Sequence, residues 1–336
     1  MNIVEFLMKS STSLKFYVLV SFAPLLCIFF FYSYNQKLRQ LHDENTQIKT
    51  ELGNFKNIIA SVVDVPTEVV FCNQTITFDD PYTRERLQRE LVNLYFYKNQ
   101  LELYKRRAKY FFPIIEYYLD FYDLPSDLKY LAVHESALNA KARSHANAVG
   151  LWQFMSYTAK QFDLNITYYV DDRRHPIKSS KAACQYLKQL YKKFQDWPLA
   201  IASYNGGETR IAKSMKQQGA TSFYDLSLPE ETERYFFKIV ATSIILKEYE
   251  KEIKDESQQF HLEPVEIVVE QDILEIKEIS QEFNIPYRTF FNFNPQFRRH
   301  VIPYGRHTLM IPKGHVVRVQ KEKEKNYFVF NNSKKP

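Results

Sequence analysis

An uncharged apolar run stands near the start of the chain. It extends from Phe16 to Tyr32, reads FYVLVSFAPLLCIFFFY and has basic residues on both sides. Its length is close to the minimum for a helix that crosses a bilayer, and its end is too aromatic for a typical cleaved leader. We therefore predict an uncleaved signal anchor, a transmembrane helix, over residues 1–35. A lipoprotein signal is the alternative, because Leu25–Cys27 resembles a lipobox, although Leu26 stands where a small residue is expected.

Residues 36–62 have a different pattern, with apolar residues at roughly heptad spacing and charged residues between them. This spacing predicts a stalk helix after the anchor. The apolar stripe of such a helix would allow a homodimer through the stalk.

Helical periodicity dominates residues 63–255, after a Val-, Phe- and Thr-rich stretch at 68–78 that predicts a strand or an extended arm. Pro and Gly residues divide the helical part into short helices. The main breaks fall at Pro125, residues 139–148, Pro176, Pro198, Gly206-Gly207 and Pro229. The pattern predicts a mostly α domain.

The texture changes again beyond residue 260. Strand-like runs at Val265–Val269 and Leu309–Pro312 enclose a helical stretch and an Asn-Pro turn. This order predicts a small α+β module at 262–315, followed by a basic tail at 316–336.

Composition narrows the function classes only slightly. The 45 Lys and Arg residues against 39 Asp and Glu residues give a net charge of +6. Because the basic residues are spread along the chain, no nucleic-acid partner is expected, whereas an anionic polymer or a lipid surface fits. Cys27 lies in the apolar run, so Cys72 and Cys184 remain as a candidate disulfide pair, and the count does not settle the redox compartment.

The candidate chemistry lies in the segment LKYLAVHESALN, which begins at Leu128. If the segment is helical, Glu135 shares the apolar face with Leu128 and Leu131, whereas His134 points elsewhere and is interpreted as a surface or hydrogen-bonded histidine. A desolvated carboxyl group has a raised pKa and can hold a proton at neutral pH for a leaving oxygen. The alternative is a buried Glu satisfied by an Arg or a Tyr.

Several further motifs follow Glu135 in a fixed order. They are Gly150–Met155 (GLWQFM), Ser203–Gly206 (SYNG) and Leu228–Tyr235 (LPEETERY). With Glu135-Ser136, these motifs resemble the lytic transglycosylase family with the lysozyme-like (goose-type) fold, and in detail its membrane-bound lytic transglycosylase D branch. The resemblance extends over about residues 71–249.

The resemblance implies a function on peptidoglycan. Glu135 would protonate the glycosidic oxygen between N-acetylmuramic acid and N-acetylglucosamine, and then act as a base while a 1,6-anhydro ring closes. Substrate-binding or supporting roles would fall to Ser144, Gln153, Met155, Tyr204, Asn205 and Tyr235, with Tyr235 bonded to Glu135. Structural roles near the site would fall to Gly150, Trp152, Glu231 and Thr232, with Trp152 interpreted as a core residue. Neither a metal nor a cofactor is expected, and the catalytic domain would face the cell wall.

The sequence departs from the family pattern at three positions. Asn147 replaces Gly, Ser156 replaces Pro and His175 replaces Asp. Because Asn tolerates left-handed backbone conformations, we expect the loop around Asn147 to form. The change to His175 puts a local salt bridge in doubt.

Two questions remain open at this stage. The C-terminal module resembles a degenerate LysM module, a small glycan-binding fold, but a purely structural role is equally compatible with its sequence.

The enzyme that forms the 1,6-anhydro ring is a lyase, and the sequence leaves two alternatives to it. They are a lysozyme-like hydrolase and a non-catalytic peptidoglycan-binding scaffold. The set of polar motif residues around Glu135 argues against the scaffold, since a binding module has no need of a buried acid.

Overall fold

The computed structural model describes residues 12–60, 64–252, 262–313 and 327–330. Side chains within these ranges are described except at 12–27, 54–60, 98, 251–252, 271–272 and 327–330. The chain divides into two compact units, Met1–Asp64 and Val65–Pro336.

The first unit consists of one helix, α1, from Thr12 to Ala60. The predicted anchor and stalk both fall on it, although the anchor's side chains up to Cys27 lie outside the described residues. Among the residues that the structure describes, no helix combines the length and apolar character needed to cross a membrane. The anchor and the homodimer through the stalk therefore stay predictions.

The second unit opens with a short antiparallel hairpin of β1 (Glu68–Phe71) and β2 (Gln74–Thr77), where the sequence predicts a strand. The turn residues Cys72 and Asn73 both have left-handed backbones, with φ of 51° and 60°. Two such residues in succession form the tight turn that matches the twist of a hairpin.

Helices make up most of this unit up to residue 252, which confirms the mostly α prediction. They are α2 (Pro81–Phe96), α3 (Lys98–Phe121), α4 (Lys129–Ser136), α5 (Ser156–Gln161), α6 (Pro176–Phe194), α7 (Trp197–Gly206), α8 (Glu208–Gln218) and α9 (Glu230–Glu252). Short 3₁₀ turns at Ser126–Leu128, Asp172–Arg174 and Phe223–Asp225 join some of them. The predicted breaks coincide with these boundaries, because Pro fits the first turn of a helix and Gly207 adopts a positive φ of 88° between α7 and α8.

The C-terminal module is a three-stranded antiparallel sheet with two short helices. Its elements are β3 (Leu262–Glu275), α10 (Ile276–Glu282), α11 (Tyr287–Phe293), β4 (Val301–Pro312) and β5 (Tyr327–Phe330), in the sheet order β4-β3-β5. The structure thus places a strand, β5, in the part of the chain predicted as a basic tail.

The module packs directly against the segment between α5 and α6. Val170 of that segment belongs to the module's hydrophobic core and forms an isolated β-bridge with Phe297. Asp171 N donates to Gln296 O at 2.9 Å, and Arg298 N donates to Tyr169 O at 2.7 Å. The module therefore extends the backbone hydrogen bonding of the helical domain.

The candidate disulfide between Cys72 and Cys184 is absent from the described chain, where both cysteines are free and buried. Cys72 lies in the hairpin turn and donates its N–H to Asp127 Oδ2, whereas Cys184 lies in the buried face of α6. Burial raises the pKa of both thiols, so both are poor nucleophiles in the folded protein.

We expect Cys72 and Cys184 to react with a thiol reagent only after unfolding, because reaction requires an accessible thiolate. The measurement is the labelling rate of a Cys27→Ser variant in increasing urea, followed by mass spectrometry. Labelling should track the unfolding transition. Rapid modification of either cysteine in native buffer would contradict the burial of these side chains.

Candidate active site

Helix α4 carries Glu135 on its inner side, as the sequence predicts. Leu128, Leu131 and Ala132 on the same side are fully buried. The helix ends when Ala137 adopts a left-handed backbone with φ 53°. Glu135 thus lies in the last turn of a helix whose inner side is packed against the core, and its carboxyl group is partly buried.

The environment of Glu135 keeps its carboxyl group about half protonated at neutral pH. The pKa of Glu135 is raised to about 7, and burial is the largest cause. The hydrogen bond from Tyr235 opposes this rise, whereas the negative charge of Glu231 adds to it. Tyr235 Oη donates to Glu135 Oε1 at 2.5 Å. A carboxyl group with this pKa can both deliver and accept a proton at neutral pH.

A second tyrosine lies close to the same carboxyl group. Tyr204, in the last turns of α7, donates its Oη to Trp152 O at 2.8 Å. Burial and the charge of Glu135 raise the pKa of Tyr204 well above its usual value, so it remains a neutral donor. Trp152 itself is fully buried and donates Nε1 to Ser180 Oγ at 3.0 Å, which makes it a core residue.

The loop between α4 and α5 has an unusual backbone at two of the motif positions. Asn147 has φ 67°, the left-handed conformation expected where the family has Gly. Gly150 has φ 90°, and a Cβ atom there would lie 1.8 Å from Arg173 O. Only Gly allows this approach of the loop to the segment before α6.

Arg173 holds the loop in place. It forms a buried pair with Asp171, with both carboxylate oxygens at 2.9 Å. Its Nη1 donates to Asn147 O and Phe154 O, each at 3.1 Å, and to Ser156 Oγ at 3.2 Å. Ser156, which replaces the family's Pro, therefore supplies an acceptor that Pro lacks. These partners are not evident in the sequence, although the consecutive acids and bases at 171–174 are a signal of local pairing.

His175 also has a long-range partner. Its ring Nε2 is 3.1 Å from Thr308 O in β4, and burial lowers its pKa to about 4. Among the described residues His175 forms no ion pair, and this bond connects it to the module.

Three other residues predicted to bind substrate lie in or at the end of the loop between α4 and α5. Ser144 is exposed and accepts from Ala148 N at 3.0 Å, and Met155 is also exposed. Gln153 has φ 47° and donates to Gly150 O at 2.8 Å.

Asn205 and Thr232 form the separate pair, and neither is described in contact with Glu135. Thr232 Oγ1 donates to Asn205 Oδ1 at 2.9 Å. The pair links the end of α7 to the start of α9.

His134 is a hydrogen-bonded histidine, as one interpretation of the sequence held. Its Nε2 lies 2.6 Å from Thr242 Oγ1 and 2.9 Å from Lys238 O. Burial lowers its pKa to about 4, so the imidazole is neutral at pH 7. In the described ranges, no group of three or more His, Cys, Asp or Glu side chains could hold a metal ion.

Comparison with protein families matches two parts of the chain. Residues 112–227, which include Glu135 and the loop, match the family model described as "Transglycosylase SLT domain". This part of the chain is similar to that family and is called the SLT domain. Residues 263–327 match "Lytic transglycosylase MltD, LysM-like domain", so the C-terminal module is similar to that domain.

Known relatives resemble the chain over limited lengths. The membrane-bound lytic murein transglycosylase D of Escherichia coli (strain K12) is 40% identical over 130 residues, which are 37% of this chain and 29% of that protein. Solved structures of the lytic transglycosylase Slt of Pseudomonas aeruginosa and the 70-kDa soluble lytic transglycosylase of Escherichia coli are 20% and 19% identical, with TM-scores of 0.36 and 0.37. The matched regions cover 44% and 52% of this chain, and 26% and 31% of the two solved chains.

We expect Glu135→Gln to stabilise the protein at high pH and not at low pH. A carboxyl group whose pKa rises from 4.5 unfolded to about 7 folded costs nothing below pH 4.5, destabilises increasingly as pH rises from 4.5 to about 7, and keeps that full cost at higher pH. The gain in unfolding free energy should be about 2 to 3 kcal/mol at pH 8 and near zero at pH 4. Urea denaturation at both pH values measures it. A control variant of an exposed residue, Glu85→Gln, should show no such pH dependence; a pH-independent effect of Glu135→Gln would contradict the raised pKa.

We expect Gly150→Ala to destabilise the SLT domain more than Gly207→Ala. Both glycines have similar positive φ, at 90° and 88°, but only the Cβ at 150 meets the Arg173 backbone. The shared backbone strain is about 1 kcal/mol, and the steric clash should add about 1 to 3 kcal/mol at position 150. Urea denaturation of the two variants isolates the clash. Equal losses of stability would show that the loop does not approach the Arg173 backbone.

Proposed function

We propose that this chain is a peptidoglycan lytic transglycosylase in which Glu135 acts first as an acid and then as a base. The observation that carries the proposal is a partly buried carboxyl group with a pKa of about 7, bonded to Tyr235 within an SLT domain. The name of the relative from Escherichia coli supports murein as the substrate class.

The reaction requires one proton at Glu135. The protonated carboxyl donates to the oxygen of the β-1,4 bond between N-acetylmuramic acid and N-acetylglucosamine as that bond breaks. The muramoyl acetamido group stabilises the cationic C1 atom. Glu135, now a carboxylate, takes the proton of the C6 hydroxyl while the C6 oxygen forms a bond to C1. This step gives a 1,6-anhydromuramoyl end and returns Glu135 to its protonated form.

Other motif residues have supporting roles in this proposal. Tyr235 and Tyr204 orient and polarise the surroundings of Glu135, since both are neutral donors. Ser144, Gln153, Met155 and Asn205 are proposed to line the sugar subsites. Gly150, Trp152, Glu231 and Thr232 support the backbone that carries them.

The architecture proposed with this function has five parts. They are an anchor at 1–35, a stalk at 36–62, a goose-type lysozyme-like domain at 63–255, a LysM-like module at 262–315 and a basic tail at 316–336. The relative's description as membrane-bound supports an anchored enzyme of the cell envelope.

A lysozyme-like hydrolase is the second candidate, because one observation favours it. Glu231 is exposed, and its charge reaches Glu135, so a second acidic group lies near the site. Such a group could orient a water molecule at C1 in place of the C6 hydroxyl.

We expect purified peptidoglycan incubated with the full chain to release anhydro-muropeptides, lighter by one water than reducing-end muropeptides. Mass spectrometry of the soluble products measures this difference. Glu135→Gln should reduce release at least about 10²-fold, since it removes the transferable proton. Reducing-end products would establish the hydrolase, and no products from a folded wild type that binds peptidoglycan would establish a scaffold.

A further inference from the structure

Five basic side chains gather where the LysM-like module meets the SLT domain. We call them the junction cations; they are Lys141, Arg143, Arg174, Arg288 and Arg298. In the described part of the chain, none of the five forms an ion pair. The junction therefore presents uncompensated positive charge.

Backbone contacts bring the SLT members of this group together. Lys141 and Arg143 flank Ala142, whose carbonyl oxygen accepts from Gly150 N at 3.0 Å. Gly150 in turn packs against the backbone of Arg173 and Arg174. Lys141, Arg143 and Arg174 thus lie beside the start of the Gly150–Met155 motif.

The module contributes the other members. Lys141 Nζ donates to Asn292 Oδ1 of helix α11 at 2.7 Å, and Arg288 lies on the same helix. Arg298 Nη1 donates to Thr167 O at 3.0 Å, next to the segment that contains Arg174. Arg143 Nε and Nη2 donate to Asn147 Oδ1 at 3.0 and 2.6 Å. All of these acceptors are neutral oxygens, which leave the charges in place.

The one acidic group whose charge is described as acting on Arg174 does not neutralise the junction. Asp171 acts on Arg174, but both its oxygens are already bonded to Arg173. Arg174 Nε is a buried nitrogen without a hydrogen-bond partner. Burial, followed by the charges of Arg174 and Arg288, lowers the pKa of Lys141, as expected where like charges are close.

We propose that the junction cations bind the carboxylates of peptide stems carried by the glycan strand. Arginine forks suit carboxylates, and a row of cations suits a polymer with a carboxylate on each repeat. Arg143 is next to Ser144, which is proposed to line a sugar subsite, so a strand bound at that subsite lies beside the junction. This inference rests on the proposed function, and it assigns the enzyme a preference for glycan that still bears its peptides.

The test compares two forms of one ligand. Uncross-linked glycan strands with peptide stems, and the same strands after an amidase has removed the stems, are titrated into the full-length Glu135→Gln protein in detergent. Dissociation constants are measured by sedimentation at low and moderate ionic strength. This variant prevents cleavage during the titration.

We expect stem-bearing strands to bind about tenfold more tightly than stripped strands, since two charge-assisted contacts suffice for this difference. Adding Arg143→Gln and Arg174→Gln should reduce the ratio to below about twofold and weaken the salt dependence. Binding of stripped strands should remain, which also shows that the variant is folded.

A matched control removes the same charge elsewhere. Lys181→Gln with Lys192→Gln, both exposed on α6, should keep the tenfold ratio. Loss of the ratio in this control would overturn the proposal in favour of a general charge effect.

Other outcomes separate the alternatives. Equal binding of both strands by the parent protein would overturn the stem site and leave the proposed cleavage intact. Binding to phosphatidylglycerol vesicles that depends on Arg143 and Arg174, without a stem preference, would assign the junction to a membrane surface instead. Failure to bind either strand would overturn the proposed function together with this inference.

Discussion

The buried ion pair between Asp171 and Arg173 fixes the backbone on which the candidate site is built. Arg173 Nε and Nη2 donate to the carboxylate of Asp171. Its Nη1 donates to three oxygens of the loop, Asn147 O, Phe154 O and Ser156 Oγ. A buried guanidinium is tolerated only when its charge is paired and its donors are satisfied. The pair therefore determines the loop conformation, because other arrangements of the loop leave buried donors without partners.

The same loop determines what surrounds Glu135. Ser136 Oγ donates to Leu151 O at 2.8 Å, and Tyr204 Oη donates to Trp152 O. Two consecutive carbonyl groups of the loop, those of Leu151 and Trp152, thus bond to helices α4 and α7. The acid is held by elements that are far apart in sequence, and its pKa depends on the packing that these bonds maintain.

Local patterns predicted much of this from sequence. The apolar face that carries Glu135 follows from helical periodicity, which acts over a few residues. The left-handed Asn147 was expected from the resemblance, because the family has Gly there and Asn tolerates this conformation. The partners of Arg173, the bond from Trp152 to Ser180 and the contact of His175 with β4 were not predicted. They join segments with no shared periodicity, and a side chain that bonds a distant carbonyl leaves no pattern in the sequence. Strand β5 was missed because its pairing partner gives its short sequence a strand conformation.

The contact of the module with the segment before α6 has a consequence for the order in which the protein is made. The SLT motifs emerge from the ribosome well before Gln296, Phe297 and Thr308, which bond to Asp171, Val170 and His175. Until those later residues are synthesised, the polar groups of this segment face water. A nascent or prematurely ended chain thus carries Glu135 and the motifs around it while lacking the contacts that the module makes with the segment before α6.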